Sequence, residues 1–109
     1  MTRFAGTIAD MVDLERYTAI SRDVLLLRAR TDRLIQRTRA LRAKARLILV
    51  IKELDDIASY VLRQVREPAT PIDEALWLHA ASERLQIATA TVDELQAAVD
   101  REGSAANER

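Results

Sequence analysis

Cysteine is absent from this sequence of 109 residues, and glycine, proline and aromatic residues are scarce. The absence of cysteine excludes disulfides and thiolate chemistry. Two glycines and two prolines are too few for a β-sandwich, which needs a turn every few residues. Alanine, leucine and arginine dominate instead, and 49% of the residues are hydrophobic against 31% charged. This composition favours long helices with one modest core.

Long hydrophobic runs are also missing. The longest purely apolar run is 47–51, far short of the roughly 20 residues that span a bilayer. Residues 1–13 lack the apolar core of a signal peptide because Asp10 and Asp13 interrupt it. We therefore expect a cytoplasmic protein with no membrane partner. Arginine outnumbers lysine fifteen to two, which points to a bacterial source with a GC-rich genome.

The clearest helix boundary in the sequence lies at residues 68–71, before the last helix. Pro68 ends one helix, Thr70 is suited to cap the next, and Pro71 occupies the favoured first helical position. Gly103 then predicts a helix end. We expect a single helical domain over 1–102, with its last helix over 71–102 and a flexible tail over 103–109.

The first sixty-odd residues contain fewer boundary signals. Thr7 and Ser21 each resemble a helix start, which predicts a short helix over about 8–19 and a long one over about 22–66. A straight helix of that length would extend about 67 Å, too long for a small globule. It must bend, break or pair with another chain, and a break near 49–56, capped by Asp55 or Asp56, is the alternative.

Heptad spacing predicts three apolar stripes. The first contains Leu27, Thr31, Leu34, Thr38, Leu41, Ala45 and Ile48. The second is displaced from it and contains Leu47, Ile51, Leu54, Ala58, Val61 and Val65. The last helix has its own stripe of Leu78, Ala81, Leu85, Ala88, Val92, Leu95 and Val99. Large residues that alternate with alanine are typical of helical bundles. The fold predicted is therefore an all-α bundle.

The run 47–51 is apolar on every side of a helix. A helix that is apolar all round needs neighbours all round, and one chain with two other helices supplies too few. We therefore expect a homodimer, with antiparallel helices, to complete the bundle. No cofactor is expected.

Charge is unevenly distributed although the net charge is zero. Residues 28–52 carry nine basic side chains and one acid, whereas 53–109 carry twelve acids and five bases. The basic side chains flank both sides of the first stripe, where coiled coils place the charges that select a partner. One interpretation is that this basic helix packs against the acidic last helix, in the same chain or across the dimer. The others are that it binds nucleic acid, or that its groove binds an acidic protein partner or an anionic ligand.

The candidate binding residues follow from this distribution. They are Arg28, Arg30, Arg33, Arg37, Arg39, Arg42, Lys44 and Arg46, with Trp77 as a second anchor. Trp77, Tyr17 and Tyr60 are also explained as packing residues. His79 and Glu83 give two metal ligands, fewer than the three or four that a zinc site needs, so we expect no metal site.

No catalytic motif is present: there is no Gly-rich phosphate loop and no nucleophile with a paired base. In size and arginine content the chain resembles the small all-helical chorismate mutases, which are dimers whose bundle arginines and lysines hold a dicarboxylate. Their spaced pattern of Arg, Lys, Glu and Gln does not align with this sequence, so the resemblance is one of architecture. The predicted function is a non-catalytic, homo-oligomeric interaction or regulatory module. The alternatives are a nucleic-acid-binding helical dimer and, remotely, a small enzyme that binds a carboxylate.

Overall fold

The computed structural model describes the backbone of residues 2–66 and 71–108, and the side chains of 14–64 and 73–103. Within these ranges the chain forms three helices: α1, Thr2–Arg37; α2, Leu41–Arg66; and α3, Pro71–Glu108. No described residue lies in a β-strand, and the helices pack against one another. The predicted all-α helical bundle is confirmed.

The bundle is a narrow rod. Its principal extents are 71 × 18 × 17 Å and its radius of gyration is 17.9 Å, against about 13 Å for a compact chain of this length. Ion pairs fix the helix directions, because residues 30 and 37 of α1 meet residues 93 and 100 of α3 in the same order. Residues 46 and 53 of α2 meet 94 and 84 of α3 in the reverse order. The helices therefore run up, down and up.

Each helix contributes one heptad stripe to the core. In α1 the buried positions are Tyr17, Ile20, Val24, Leu27, Thr31, Leu34 and, just past the helix end, Thr38. In α2 they are Leu47, Val50, Leu54, Ile57 and Val61. In α3 they are the seven positions predicted from the sequence, from Leu78 to Val99, and all of them are buried. The alternating spacing of three and four residues is that of coiled-coil packing.

The predicted boundary between residues 19 and 22 is wrong, because α1 is continuous from Thr2 to Arg37. The buried stripe runs through this region without interruption, from Tyr17 and Ile20 to Val24. Burial of that stripe outweighs the weak local capping tendency of Ser21, since most helical stability in proteins comes from tertiary packing.

The predicted long helix over 22–66 is also wrong, because the chain reverses direction at residues 38–40. The Thr38 hydroxyl accepts a hydrogen bond from the Ala40 amide at 3.3 Å and donates one to the Glu102 carboxylate at 3.1 Å. No non-glycine residue described has a positive φ, so the turn needs neither glycine nor proline. This tight helical hairpin gives no glycine or proline signal in the sequence.

Beyond the turn, α2 is continuous through residues 49–56, so the alternative break there is wrong as well. The second half of the predicted first stripe lies on the outside of α2: Leu41, Ala45 and Ile48 are exposed. The core side of α2 is instead formed by the stripe that begins at Leu47. The hairpin turn therefore divides one continuous heptad pattern between the core and the surface.

Helix α3 begins at Pro71, as predicted, with Asp73 and Glu74 in its first turn, where acids favour the helix dipole. It continues to Glu108 rather than ending at 102. Gly103 has no positive φ and therefore does not form the left-handed cap that the prediction assumed. The predicted boundary residues Pro68 and Thr70 lie outside the described residues.

Candidate interaction surface

Two of the candidate arginines join α1 to α3. Arg30 lies 2.7 Å from the Asp93 carboxylate and donates a hydrogen bond of 2.7 Å to the Gln96 side chain. Arg37 donates a 3.0 Å hydrogen bond to Asp100. The expectation that the basic stretch packs against the acidic last helix is confirmed for these two residues, and the contact lies within one chain.

Two further arginines from the candidate set also have acidic neighbours. Arg28 of α1 forms a salt bridge with Asp55 of α2. Arg46 of α2 lies 3.7 Å from Glu94 of α3. All of these pairs are about half exposed, and such pairs contribute about 0.2–1 kcal/mol each. They fix the relative register of the helices more than they stabilise the fold.

The remaining basic candidates are Arg33, Arg39, Arg42 and Lys44, which surround the turn at 38–40. None of these four forms a salt bridge with any residue whose side chain the structure describes. The three arginines are exposed and Lys44 is partly buried. The eight basic candidates thus divide into four that pair with an acid of the same chain and four that form no salt bridge with a described side chain.

The ion pair between Arg84 and Glu53 was not anticipated from the sequence. The Arg84 guanidinium donates a 2.5 Å hydrogen bond to Glu53, which joins α3 to α2. This hydrogen bond holds the pKa of the Glu53 carboxyl below its usual value and raises the pKa of Arg84. Both residues lie outside the basic stretch, and their pairing depends on the antiparallel register of the two helices, which the sequence does not display.

The outside of α2 carries an apolar surface, which we call the outer stripe: Leu41, Ala45, Ile48 and Leu49. Leu41 is 81% exposed, Ile48 56% and Leu49 65%. Their spacing places them on adjacent turns of one helix face, about opposite the core stripe. Contiguous exposed apolar patches of this kind mark interaction sites in soluble proteins.

The outer stripe continues toward α3. A shallow cavity of about 260 Å³ lies between α2 and α3, with Leu49 and Ile87 on its lining. The ion-paired residues Arg46, Glu53 and Arg84 also line this cavity. The apolar residues Leu49 and Ile87 are therefore bordered by charged side chains, an arrangement typical of protein interfaces.

A larger groove of about 980 Å³ lies along the surface between α1 and α3. Core residues such as Ile20 and Leu85 form part of its lining, with small side chains such as Ala75 and Ser82. Arg16 and the paired Arg30 are the basic residues that line it. The residues that line this groove all belong to α1 and α3, so the outer stripe of α2 is not part of it.

Trp77 belongs to an aromatic cluster. Its ring stacks on Tyr60 with centroids 4.7 Å apart and planes within 7°, and it lies 5.8 Å from Tyr17. Trp77 is partly buried against the core, and Arg63 lies over the Tyr60 ring. These contacts join the three helices near one end of the rod, which supports the packing interpretation of Trp77.

His79 lies 3.2 Å from Glu83 one turn away, and both side chains are largely exposed. No group of three or more His, Asp or Glu side chains among the described residues is placed to hold a metal ion. None of the helices, over the parts described, combines the length and the apolar character that crossing a membrane requires.

Comparison with known proteins adds no further constraint on the site. A scan against protein-family models, a search of curated proteins and a search of solved structures each found no match to this chain.

Proposed function

We propose that this protein is a non-catalytic helical interaction module that acts as a homo-oligomer and uses the outer stripe of α2 as its contact surface. The exposure of Leu41, Ile48 and Leu49 on one face of a helix is the observation that supports this proposal. Removing such side chains from water contributes roughly 25 cal/mol per Å² of apolar area buried. A partner that covers this face is therefore favoured over open exposure.

The stripe is a patterned surface rather than a scatter of single apolar residues. Leu41, Ala45 and Ile48 continue the same spacing of three and four residues that packs α1 in the core. This spacing is that of a helix which packs lengthwise against another helix. The occupant favoured is thus a helix, and a second copy of the chain supplies one.

The test compares two surface variants of α2 by light scattering coupled to size exclusion. Ile48→Lys places a charge within the outer stripe, whereas Leu62→Lys places one on an equally exposed part of the same helix outside the stripe. We expect the first variant to be monomeric at a concentration at which the wild-type protein and the second variant are dimeric. Circular dichroism checks that both variants keep their helices. Equal association of both variants would contradict the proposed surface.

A second candidate function, nucleic-acid binding, is favoured by one observation. Arg33, Arg39, Arg42 and Lys44 surround one turn and form no salt bridge with a described side chain. Free cations in a cluster bind polyanions with the release of counterions, so affinity falls steeply with salt. Retention on heparin at low salt, lost when Arg39, Arg42 and Lys44 are replaced by glutamine, would support this candidate. Absence of retention at low salt would exclude it.

A further inference from the structure

The outward side of α2 has charges of opposite sign on either side of its apolar centre. The exposed Arg42 lies toward the start of the helix, and the exposed Asp56 lies about two turns beyond Leu49, next to Asp55, which pairs with Arg28 of its own chain. Ala45, Ile48 and Leu49 of the outer stripe lie between these basic and acidic residues, and Leu41 precedes them. Such a face is complementary to itself when a second copy runs in the opposite direction.

We propose that two copies of the chain pair through their α2 helices in an antiparallel arrangement, with the two-fold axis passing beside Ile48 and Leu49. This inference rests on the proposed function, and it specifies the partner, the direction and the register. In an antiparallel pair centred between residues 48 and 49, Arg42 lies opposite the partner's Asp55 and Asp56. Ala45 then lies opposite the partner's Lys52, whose aliphatic stem covers it.

The salt bridges within the chain support this register. Neither Arg42 nor Asp56 forms a salt bridge with a residue in the described part of its own chain, and both side chains are exposed. Asp56 is close enough to Arg84 to contribute to that arginine's raised pKa, but it forms no salt bridge with a described residue, so both Arg42 and Asp56 can pair with a partner. Pairing of Arg42 with the partner's Asp56 occurs twice in a two-fold dimer, because an isologous interface repeats every contact.

A parallel arrangement is disfavoured by the same charges. It would place each Arg42 beside the partner's Arg42 and each Asp56 beside the partner's Asp56, and like charges at an interface oppose association. The antiparallel arrangement converts both repulsions into attractions. It also brings the small side chain of Ala45 to the interface, which allows the two helix axes to approach to the 8–10 Å typical of packed helices.

Because the sequence contains no cysteine, a cysteine introduced by mutation is the only thiol in each chain. The first experiment uses this property to test which residues lie close together in the dimer. In the proposed dimer the two copies of residue 49 lie side by side at the axis, whereas the two copies of residue 62 lie about 40 Å apart at 1.5 Å per residue. Under mild oxidation we expect Leu49→Cys to become a covalent dimer as its main product and Leu62→Cys to remain monomeric on a denaturing gel. Disulfides require Cα atoms within about 7 Å, so the second position is a matched control.

A charge exchange tests the register. We expect Arg42→Glu and Asp56→Arg each to weaken dimerisation about tenfold, because each replaces two attractive pairs with repulsive ones. The double variant should recover to within about threefold of the wild-type affinity, as measured by sedimentation equilibrium. Circular dichroism controls for folding, and both residues are exposed, so the fold should tolerate the exchange.

The outcomes separate this inference from the proposed function. A wild-type protein that is monomeric up to about 200 μM would overturn both. A wild-type dimer in which Leu49→Cys does not cross-link, or in which the double charge variant is weaker than either single one, would overturn the antiparallel α2 contact and leave self-association standing. Equal cross-linking at residues 49 and 62 would indicate the parallel arrangement and would also overturn it.

Discussion

The fold predicts that two leucines of α2, Leu54 and Leu62, contribute very differently to the free energy of unfolding. Leu54 is fully buried between the three helices, whereas Leu62, two turns further along α2, is 62% exposed. Truncation of a fully buried leucine to alanine removes its apolar contacts and leaves a cavity, at a cost of about 2–5 kcal/mol. The same truncation at an exposed helical site changes the free energy of unfolding by only about 0.5 kcal/mol or less.

The difference is measurable by urea denaturation followed by circular dichroism. With a slope of about 1–3 kcal/mol per molar urea for a domain of this size, a loss of about 3 kcal/mol lowers the midpoint by roughly 1–3 M. Leu54→Ala should show this shift and Leu62→Ala should not. Both variants must be compared at one protein concentration, since self-association adds concentration-dependent stability. Equal shifts for the two variants would refute the assignment of the α2 core stripe.

Two further predictions follow from polar groups in the bundle. Thr31→Val should lower the free energy of unfolding by roughly 0.5–1.5 kcal/mol, because it removes the hydrogen bond that the fully buried Thr31 hydroxyl donates to the Leu27 carbonyl, 2.7 Å away in its own helix; an unchanged or higher urea midpoint would contradict this. The lowered pKa of Glu53 means that its pair with Arg84 stabilises the fold above the unfolded value of about 4.5 and that this stabilisation is lost as the pH falls through the folded pKa. Glu53→Gln should therefore reduce stability by under about 1 kcal/mol at neutral pH and flatten the acid side of the pH profile, and an unchanged acid profile would contradict this.

The sequence predicts the last helix well because its signals agree with one another. Pro71 marks its start, and a single heptad stripe continues to Val99 with no competing pattern. The first sixty residues are harder because their heptad pattern continues from α1 into the outer stripe of α2. Periodicity alone therefore cannot locate the turn at Thr38, which contains neither glycine nor proline.

Some features of the candidate surface could be predicted from the sequence, whereas others depend on how the helices pack. The charge distribution predicts that basic residues of α1 meet acids of α3, and Arg30 and Arg37 do so. The sequence does not indicate which cations stay unpaired, because that depends on the direction of α2 after the turn. For the same reason the exposure of Leu41 emerges only from the structure, since the sequence pattern assigns it to the core.

The prediction that a second chain is needed was based on the apolar run 47–51, and the fold shows which of its side chains one chain leaves exposed. Within one chain Leu47 and Val50 of the run 47–51 are buried, Ile51 is partly buried, and Ile48 and Leu49 are exposed. A single three-helix bundle buries one face of α2 and leaves the opposite face open. The exposed apolar side chains thus lie on the outer stripe, which we propose is covered by a second copy of the chain.

The molar mass of the wild-type protein in solution tests this proposal most directly. Multi-angle light scattering at about 50 μM and physiological salt distinguishes the two states, because the monomer mass is 12.3 kDa. We predict a mass about twice that value, which decreases toward the monomer value on dilution and in the Ile48→Lys variant. A mass of 12.3 kDa for the wild-type protein at every concentration up to about 200 μM would contradict the account.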